Sequence, residues 1–299
     1  MADFTAAERR SDFTAAERRS SPPDATLALS IDPSGRWMCV CQQGALHLLS
    51  VDGSSAVVPL LSSSGETLQA RSARFSCTGQ LVTAGDDKLV RVWDVASATC
   101  VRSWLHHKKI ACVELSAGDA RVLFADRFGE VYTVAMEESE ATPALTLGHL
   151  SPVSHLRLAS SGASLLTADR EGHVRNSCYP HAFVIDGFYL SHTSPLQLML
   201  PLAQAPLLLT AARAGQEVCL WQFHTAALLR HTTAAQLRSE LSPMAAAATA
   251  TSEAAGTATP MDSSAGEDAA DEDPPTSLCA ACECAEQRML ALVFAGEAR

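Results

Sequence analysis

A strand–turn–strand pattern recurs five times along this 299-residue chain, and its spacing constrains the fold more than any other feature. Each copy has an apolar run, a turn with Asp or Gly, and then an alternating strand, as in residues 81–95, LVTAGDDKLVRVWDV. The first apolar residues after the turns are 44, 41, 43 and 44 residues apart: Leu46, Val90, Val131, Val174 and Val218. A period of roughly 40–45 residues is that of a four-stranded WD-repeat propeller blade.

The repeats predict an all-β fold, a WD-repeat β-propeller with about five blades plus the start of a sixth. Short alternating strands without intervening helices fit this fold, and blades stack radially because one sheet cannot bury both of its faces alone. Gly148-His149 opens one unit, and His106-His107 and Ser191-His192 take the same place in two others. WD-repeat rings usually have about seven blades, so the sequence leaves open whether this ring closes.

Two segments of unusual composition divide the chain. Residues 1–23 contain a tandem duplication of DFTAAERRS and are predicted to be a disordered arm, and residues 24–231 are predicted to hold blades one to five. Residues 232–277 are predicted to be an acidic low-complexity insertion, because residues 239–277 include eight acidic side chains and no basic one. Residues 278–299 are predicted to form the opening strands of a sixth blade.

Charge and hydropathy exclude several classes of function. The chain has 22 Lys+Arg and 33 Asp+Glu, and without the eight acids of residues 239–277 the balance is 25 acids against 22 bases. Unaided binding of nucleic acid is therefore not expected, since it needs an excess of basic side chains. The most apolar stretch, residues 196–209, is interrupted by two prolines and is shorter than the roughly 20 residues of a membrane helix. Without an apolar leader, and with most cysteines in strand-like runs, the chain is expected to be intracellular and reduced.

Sequence signatures of enzymes are missing, so we predict no catalytic, cofactor-binding or metal-binding residue. There is no GxGxxG after a strand, no Walker loop, no HExxH and no GxSxG. Cys279, Cys282 and Cys284 have thiolate spacing that could serve zinc, but no nearby fourth ligand follows, and strand cysteines are the preferred interpretation. His149 and His192 are expected to make hydrogen bonds inside their blades. Turn formation is expected of three aspartates, Asp86, Asp87 and Asp126.

The fourth blade resembles the non-catalytic WD-repeat subunit of the tRNA (guanine-N7-)-methyltransferase. The resemblance rests on residues 167–171 (TADRE), Arg175, Tyr179-Pro180 and the aromatic-rich residues 183–190. Residues 125–132 of the third blade, ADRFGEVY, look like the ADxxGxVY run of the same family. Weaker similarity extends over residues 27–231, while Asn176-Ser177-Cys178 departs from the expected apolar alternation.

The resemblance implies a scaffold rather than an enzyme. In that family a separate subunit binds S-adenosylmethionine and methylates a guanine in the variable loop of tRNA, so this chain is expected to hold no cofactor. It is expected to form a nuclear heterodimer with the catalytic subunit, to reach tRNA through that complex, and to have no membrane association. Arg175 matches a basic residue that pairs with acidic groups on the partner, and Asp169, Arg170 and Glu171 form the adjoining turn. Lys108 and Lys109 are candidates for a tRNA phosphate contact.

Other interpretations of these residues remain open. Asp169, Arg170, Glu171 and Arg175 also fit an ordinary polar turn and a solvated strand residue, and residues 106–109 (HHKK) also fit a solvated loop. The chain as a whole also fits a WD-repeat adaptor unrelated to tRNA. A third alternative is a non-functional propeller fragment with exposed edges that favour aggregation.

Overall fold

The computed structural model describes residues 26–42, 45–51, 58–60, 68–203, 205–212, 217–237, 239–240, 277–284 and 289–295. The predicted arm, residues 1–23, lies outside these residues, as does most of the predicted insertion, residues 232–277. Within the described residues, strands dominate, with a 3-10 turn at Ala117–Asp119 and helical backbone at residues 234–237 and 239–240.

The strands form five four-stranded antiparallel sheets and one hairpin, each sheet a meander in chain order. Sheet 1 contains β1 (Thr26–Ile31), β2 (Trp37–Gln42), β3 (Ala45–Ser50) and β4 (Val58–Pro59). Sheet 2 contains β5 (Ala70–Phe75), β6 (Leu81–Gly85), β7 (Leu89–Asp94) and β8 (Thr99–Leu105). Sheet 3 contains β9 (Ile110–Leu115), β10 (Arg121–Asp126), β11 (Glu130–Ala135) and β12 (Ala144–Gly148).

Sheet 4 contains β13 (Val153–Leu158), β14 (Ser164–Asp169), β15 (Val174–Cys178) and β16 (Ile185–Tyr189). Sheet 5 contains β17 (Leu196–Pro201), β18 (Leu207–Ala212), β19 (Glu217–Gln222) and β20 (Leu228–Thr233). The hairpin pairs β21 (Ser277–Cys284) with β22 (Met289–Ala295). The predicted all-β propeller with five blades is confirmed, and all five residues that define the repeat lie on the third strands β3, β7, β11, β15 and β19.

Burial changes regularly from the inner to the outer strands of a sheet. The second strands are buried on both faces, as in β6 and β14, because a neighbouring sheet covers each face. The fourth strands are mostly exposed, as in β8 and β16, so they form the outside of the molecule. An apolar cluster fills each gap between successive sheets, and the one between sheets 2 and 3 contains Val82, Ile110 and Phe124.

Inner strands of neighbouring sheets contact one another in sequence, β1 with β5, β5 with β9, β9 with β13, β13 with β17 and β17 with β21. Among the described strands, no contact of comparable extent joins β21 or β22 to β1. Ser30 of β1 faces sheet 2, where its hydroxyl accepts a hydrogen bond from the Phe75 backbone N–H. Alternation along the strand therefore turns Leu29 and Ile31 to the other face, where they are 49% and 51% exposed.

An ionic bridge links the inner strands of three sheets. Glu114 on β9 accepts a hydrogen bond from Arg74 Nε of β5 at 3.3 Å and another from Arg157 Nη1 of β13 at 3.2 Å. The Glu114 side chain is 13% exposed, and burial raises the pKa of its carboxyl while Arg74 opposes that shift. This bridge couples sheets 2, 3 and 4.

Candidate partner-binding rim

The turns between the second and third strands of each sheet lie at the same end of the propeller as the connections between sheets. In the connection between sheets 3 and 4, the backbone N–H of His149 donates to Gly129 O (2.8 Å), and the N–H of Arg170 donates to Pro152 O (2.9 Å). The connection of residues 106–109 is bonded in the same way to the turns of sheets 2 and 3. We call this end the turn rim. It comprises the turns 85–88, 126–129 and 169–172 and the connections 106–109 and 149–152.

Glycine is required where a connection crosses a turn closely. Gly129 has a φ of 96°, and a Cβ at this position would lie 2.7 Å from Ser151 O and 2.8 Å from His149 O. Gly172 has a φ of 90° and is approached by Ser194 O in the same manner. The turns and connections of the turn rim are therefore packed closely against each other at these two glycines.

Histidines of two connections make the internal hydrogen bonds that the sequence predicts. His149 Nε2 and Thr167 Oγ1 lie 2.7 Å apart, as do His192 Nε2 and Thr210 Oγ1. Thr210 also accepts a hydrogen bond from Trp221 Nε1 at 2.8 Å. Burial lowers the pKa of both imidazoles, so they are neutral parts of the framework.

Asp169 lies inside the turn that it forms. Its Oδ1 accepts hydrogen bonds from the backbone N–H groups of Glu171 (2.9 Å) and His173 (3.0 Å), and its Oδ2 lies 3.2 Å from His173 Nδ1. The side chain is 11% exposed. Asp126 closes the equivalent turn of sheet 3 in the same way. The carboxylate of Asp169 therefore shapes the turn and presents its neighbours.

Arg170 and Glu171 are the exposed residues of this turn. The Glu171 side chain is 68% exposed, with its carboxylate 3.9 Å from His173 Nδ1. Arg170 is also exposed, and it makes no ion pair with any residue that the structure describes. The turn of sheet 4 thus presents one positive and one negative side chain to solvent.

Arg175 extends into the gap between sheets 3 and 4. Its guanidinium donates to Ser177 Oγ (2.9 Å), to Ala182 O (2.9 Å) and to Gly148 O (3.3 Å). All three acceptors are neutral, and no carboxylate of a described residue pairs with this charge. Burial lowers the pKa of the Arg175 guanidinium, as expected for a cation that loses water without gaining an anion.

The equivalent position in sheet 2 shows what Arg175 lacks. Arg91 pairs across its sheet with Thr83, as Arg175 pairs with Thr167, but Arg91 forms an ion pair with Asp87 four residues earlier. Glu171 holds the position four residues before Arg175, yet the two do not pair. The positive charge of Arg175 therefore remains uncompensated within the described part of its own chain.

Ser177 explains why Arg175 can fold inward. It pairs with Leu165 at the register position that Trp93 and Trp221 hold in sheets 2 and 5. Ser177 is fully buried, and it leaves room for the guanidinium that donates to its hydroxyl. Ser177, within the polar run 176–178 that departs from the apolar alternation, thus holds Arg175 in place.

Lys108 and Lys109 lie in different environments. Lys108 Nζ donates to Glu130 at 2.7 Å and lies 4.6 Å from the centroid of the Phe128 ring, and the hydrogen bond to Glu130 raises the pKa of the lysine. Lys109 is 49% exposed, with its Nζ 3.6 Å from Asp86. Lys109 is the freer of the two candidate phosphate contacts.

Three cations surround Asp86, and sequence reasoning identified only Lys109. Arg71 Nε lies 2.6 Å from the Asp86 carboxylate and Arg127 Nη2 lies 3.1 Å from it. One carboxylate therefore faces three positive side chains, and we call Arg71, Lys109 and Arg127 the cation cluster. Arg127 could have been found from the repeats, because it follows Asp126 as Arg170 follows Asp169.

The arrangement combines fixed charges with exposed apolar side chains. Leu150 projects fully into solvent and Phe128 is 66% exposed, both on the turn rim. On the outer side of sheet 4, the aromatic-rich stretch exposes Phe183, Phe188 and Leu190. A rigid surface with charges and apolar contacts is suited to binding another macromolecule.

These features define a WD-repeat β-propeller, a class of fold that generally serves as a non-catalytic scaffold. Residues 58–94 match the WD domain, G-beta repeat model. Residues 136–288, just over half of the chain, match the model of the tRNA methyltransferase TRM82 WD40 domain, and the chain belongs to that family.

Other comparisons concern parts of the chain or its fold. The Target of rapamycin complex subunit wat1 of Schizosaccharomyces pombe is 25% identical over 118 residues, which cover 39% of this chain and 37% of that protein. The chain therefore matches little more than a third of this curated relative. Among the described residues, no helix has both the length and the apolar character needed to cross a membrane.

Two solved structures share the fold. The Cps50 (Swd1) β-propeller domain of Myceliophteria thermophila superposes with a TM-score of 0.60 at 13% identity, covering 70% of this chain and 72% of that one. A chain of the mitotic checkpoint complex superposes with a TM-score of 0.61 at 19% identity, covering 71% and 67%. At these identities the likeness concerns the fold alone.

Proposed function

We propose that this protein is the non-catalytic subunit of a tRNA guanine-N7 methyltransferase. It binds and stabilises the catalytic subunit, which carries S-adenosylmethionine and forms N7-methylguanosine in the variable loop of tRNA. The chain itself contributes no cofactor and no catalytic group, and the heterodimer acts in the nucleus. Membership of the TRM82 WD40 domain family supports this proposal.

The main structural support for the proposal is the uncompensated charge of Arg175. A guanidinium that is partly desolvated and meets only neutral acceptors gains from a carboxylate brought by another molecule. Such a carboxylate on the catalytic subunit would complete the kind of ion pair that Arg91 already has with Asp87. Truncating one member of a buried interfacial charge pair costs roughly 2–5 kcal/mol.

The turn of sheet 4 extends the proposed contact surface. Asp169 holds the turn, while Arg170 and Glu171 present opposite charges that would orient the partner. Opposite charges side by side favour one docking register over others because a shifted partner would meet like charges. Leu150 on the adjoining connection supplies an apolar contact.

Contact with tRNA is assigned to the cation cluster. Arg71, Lys109 and Arg127 share the single carboxylate of Asp86, so their summed charge is positive and available to a phosphate. Lys108 is held by Glu130, and its proposed contribution is secondary. Because the remainder of the chain is acidic, the cluster would act together with the catalytic subunit rather than alone.

Co-purification with the catalytic subunit, followed by a tRNA methylation assay, tests the proposal. We expect Arg175→Gln to weaken binding of the catalytic subunit at least about thirtyfold, which corresponds to the lower end of the cost above. Arg175→Glu should abolish co-elution. Arg91→Gln is the matched control, because it removes a charge at the same register position of sheet 2.

The outcomes separate the alternatives. Equal affinity of Arg175→Gln and Arg91→Gln, with both variants folded by circular dichroism, would contradict the role of Arg175. A folded wild-type chain that neither binds the catalytic subunit nor restores methylation would contradict the proposed function and favour an adaptor unrelated to tRNA.

A further inference from the structure

The histidine of sheet 3 differs from its two counterparts. Each of the three histidines is followed 18 residues later by the residue that faces its ring, and these pairs are His106 and Phe124, His149 and Thr167, His192 and Thr210. His149 and His192 each lie 2.7 Å from a threonine hydroxyl. His106 instead meets the Phe124 ring, with centroids 5.2 Å apart, so it lacks the hydroxyl partner.

Asp126, His107 and Tyr132 surround the ring of His106, and the Tyr132 ring centroid lies 4.6 Å from it. The Nε2 of His106 lies 3.5 Å from Asp126 Oδ2, a long separation for a hydrogen bond. The rings of His106 and His107 are 4.2 Å apart between centroids. One ligand atom from each of the three residues lies within 4.8 Å of the others, while the sheet 4 connection has Leu150 in place of the second histidine.

These separations fit the coordination of a small divalent ion. Two ligands bound to tetrahedral Zn²⁺ lie about 3.4 Å from each other, given metal–ligand distances of about 2.0–2.2 Å. The distance of 3.5 Å between His106 Nε2 and Asp126 Oδ2 is close to this separation. His107 is exposed, and a change of its rotamer would bring its ring nitrogen to the same distance from the other two ligand atoms.

The turn of sheet 3 holds the carboxylate of Asp126 in one orientation, as the turn of sheet 4 holds that of Asp169. Its Oδ1 accepts hydrogen bonds from the backbone N–H groups of Phe128 (2.8 Å) and Glu130 (3.0 Å), which fixes the plane of the carboxylate and directs Oδ2 to His106. Asp126 is fully buried. Carboxylates that bind metals are themselves hydrogen-bonded, so this arrangement is compatible with coordination through Oδ2.

Two carboxylates and one ammonium group lie next to the proposed ligand atoms. Lys108 Nζ lies 3.5 Å from Asp126 Oδ2 but 2.7 Å from Glu130, so Glu130 is its principal partner. Asp126, Glu130 and Lys108 together carry one net negative charge. An open groove of about 420 Å³ adjoins the imidazoles and is bordered by Tyr132, Thr142 and Pro143, which gives solvent access to a fourth coordination position.

We propose that His106, His107 and Asp126 form a binding site for a divalent transition-metal ion such as Zn²⁺. The fourth position is open to water or to a ligand that enters the groove. The ion fastens the connection 106–109 to the turn of sheet 3 and so stabilises the turn rim beside the cation cluster. The site is independent of the catalytic subunit.

Metal titration of the full chain tests this site. Protein treated with EDTA and kept reduced is titrated with Zn²⁺ by calorimetry, and with Co²⁺ while the visible absorption is recorded. We expect one site of nitrogen and oxygen ligands and a rise in melting temperature with Zn²⁺. His107→Ala should weaken this site at least tenfold, and His181→Ala, an exposed histidine outside the cluster, should leave it unchanged.

The other outcomes overturn the proposal. Equal binding by wild type and His107→Ala would show that the metal binds elsewhere, and Co²⁺ absorption of the intense thiolate type that persists in the variant would assign it to cysteines. Absence of binding to the folded wild type would also overturn it.

Leu150→His places a second histidine beside His149 in sheet 4, as His107 lies beside His106 in sheet 3. His149 is still hydrogen-bonded to Thr167, whereas His106 faces Phe124 and lacks a hydroxyl partner. The variant therefore tests whether metal binding needs Phe124 at this position. We expect no second site in this variant. A second site of similar affinity would show that any adjacent histidine pair on the turn rim binds metal, and would overturn the assignment to this arrangement.

Discussion

At the scale of single residues, buried imidazoles contribute to the pH dependence of this protein's stability. His149 and His192 are neutral inside the fold, chiefly because burial lowers the pKa of each. Arg175 adds to that effect at His149, whereas Glu217 opposes it at His192. In the unfolded chain both imidazoles take up protons with a pKa of about 6.5.

We therefore expect the free energy of unfolding to decrease as the pH falls below about 6.5. There the unfolded chain binds protons that the folded chain excludes, at a cost of up to about 1.4 kcal/mol per pH unit for each histidine. Urea unfolding at pH 7.5 and 5.5 measures this loss. A double variant, His149→Gln with His192→Gln, should show a flatter pH profile, and an unchanged profile would contradict the assignment.

Arg175 shows where sequence reasoning stops at this scale. The resemblance to a family singled out the residue, but its inward direction depends on Ser177 and on Ala182 of the following loop. The cation cluster was missed for a related reason, because Arg71, Lys109 and Arg127 belong to three separate stretches of chain. Pairing of β5 with β6 brings Arg71 to Asp86, and the packing of sheet 3 against sheet 2 adds Lys109 and Arg127.

At the scale of the elements, the repeat period was sufficient to predict the sheets. Leu46, Val90, Val131, Val174 and Val218 all lie on third strands because a four-stranded meander with short turns has a nearly constant length. The turn at Asp126 was predictable from its residue type, since Asp126 caps its own backbone. Contacts between sheets were not predictable, because they join residues that are not related by the repeat spacing.

The bridge from Arg74 through Glu114 to Arg157 is such a contact, and its removal should loosen three sheets together. We expect Glu114→Gln to lower the free energy of unfolding by about 1–3 kcal/mol, less than for a fully buried pair because all three side chains retain some solvent contact. Urea unfolding at neutral pH measures the change. Glu140→Gln, at an exposed position, should be nearly neutral, and equal values for the two variants would show that the bridge contributes nothing.

At the scale of the whole molecule, one sheet face lacks a neighbour among the described residues. Leu29 and Ile31 of β1 are half exposed on the side of sheet 1 opposite sheet 2. An apolar face of this kind favours association with another chain.

We expect Leu29→Lys combined with Ile31→Lys to reduce self-association of the full chain, as measured by sedimentation velocity across a concentration series. The melting temperature should change little, because both side chains are already half exposed. Val101→Lys, at an exposed position on the outer strand β8, is the control. Identical sedimentation of the double variant and the wild type would show that this face does not mediate association.

The serial contacts from β1 to β21 also determine how the molecule opens. Among the described strands, each sheet makes extensive contacts only with its nearest neighbours, so stability accumulates along a line, and sheet 1 and the hairpin have one coupled side instead of two. Local unfolding is then expected to begin at the ends of this line, including sheet 1. Sheet 3 has a neighbour on both sides and is linked to them through Glu114, so its amide protons are expected to exchange most slowly. The residues of sheet 4 proposed to bind the partner lie next to sheet 3, where the slowest exchange is expected.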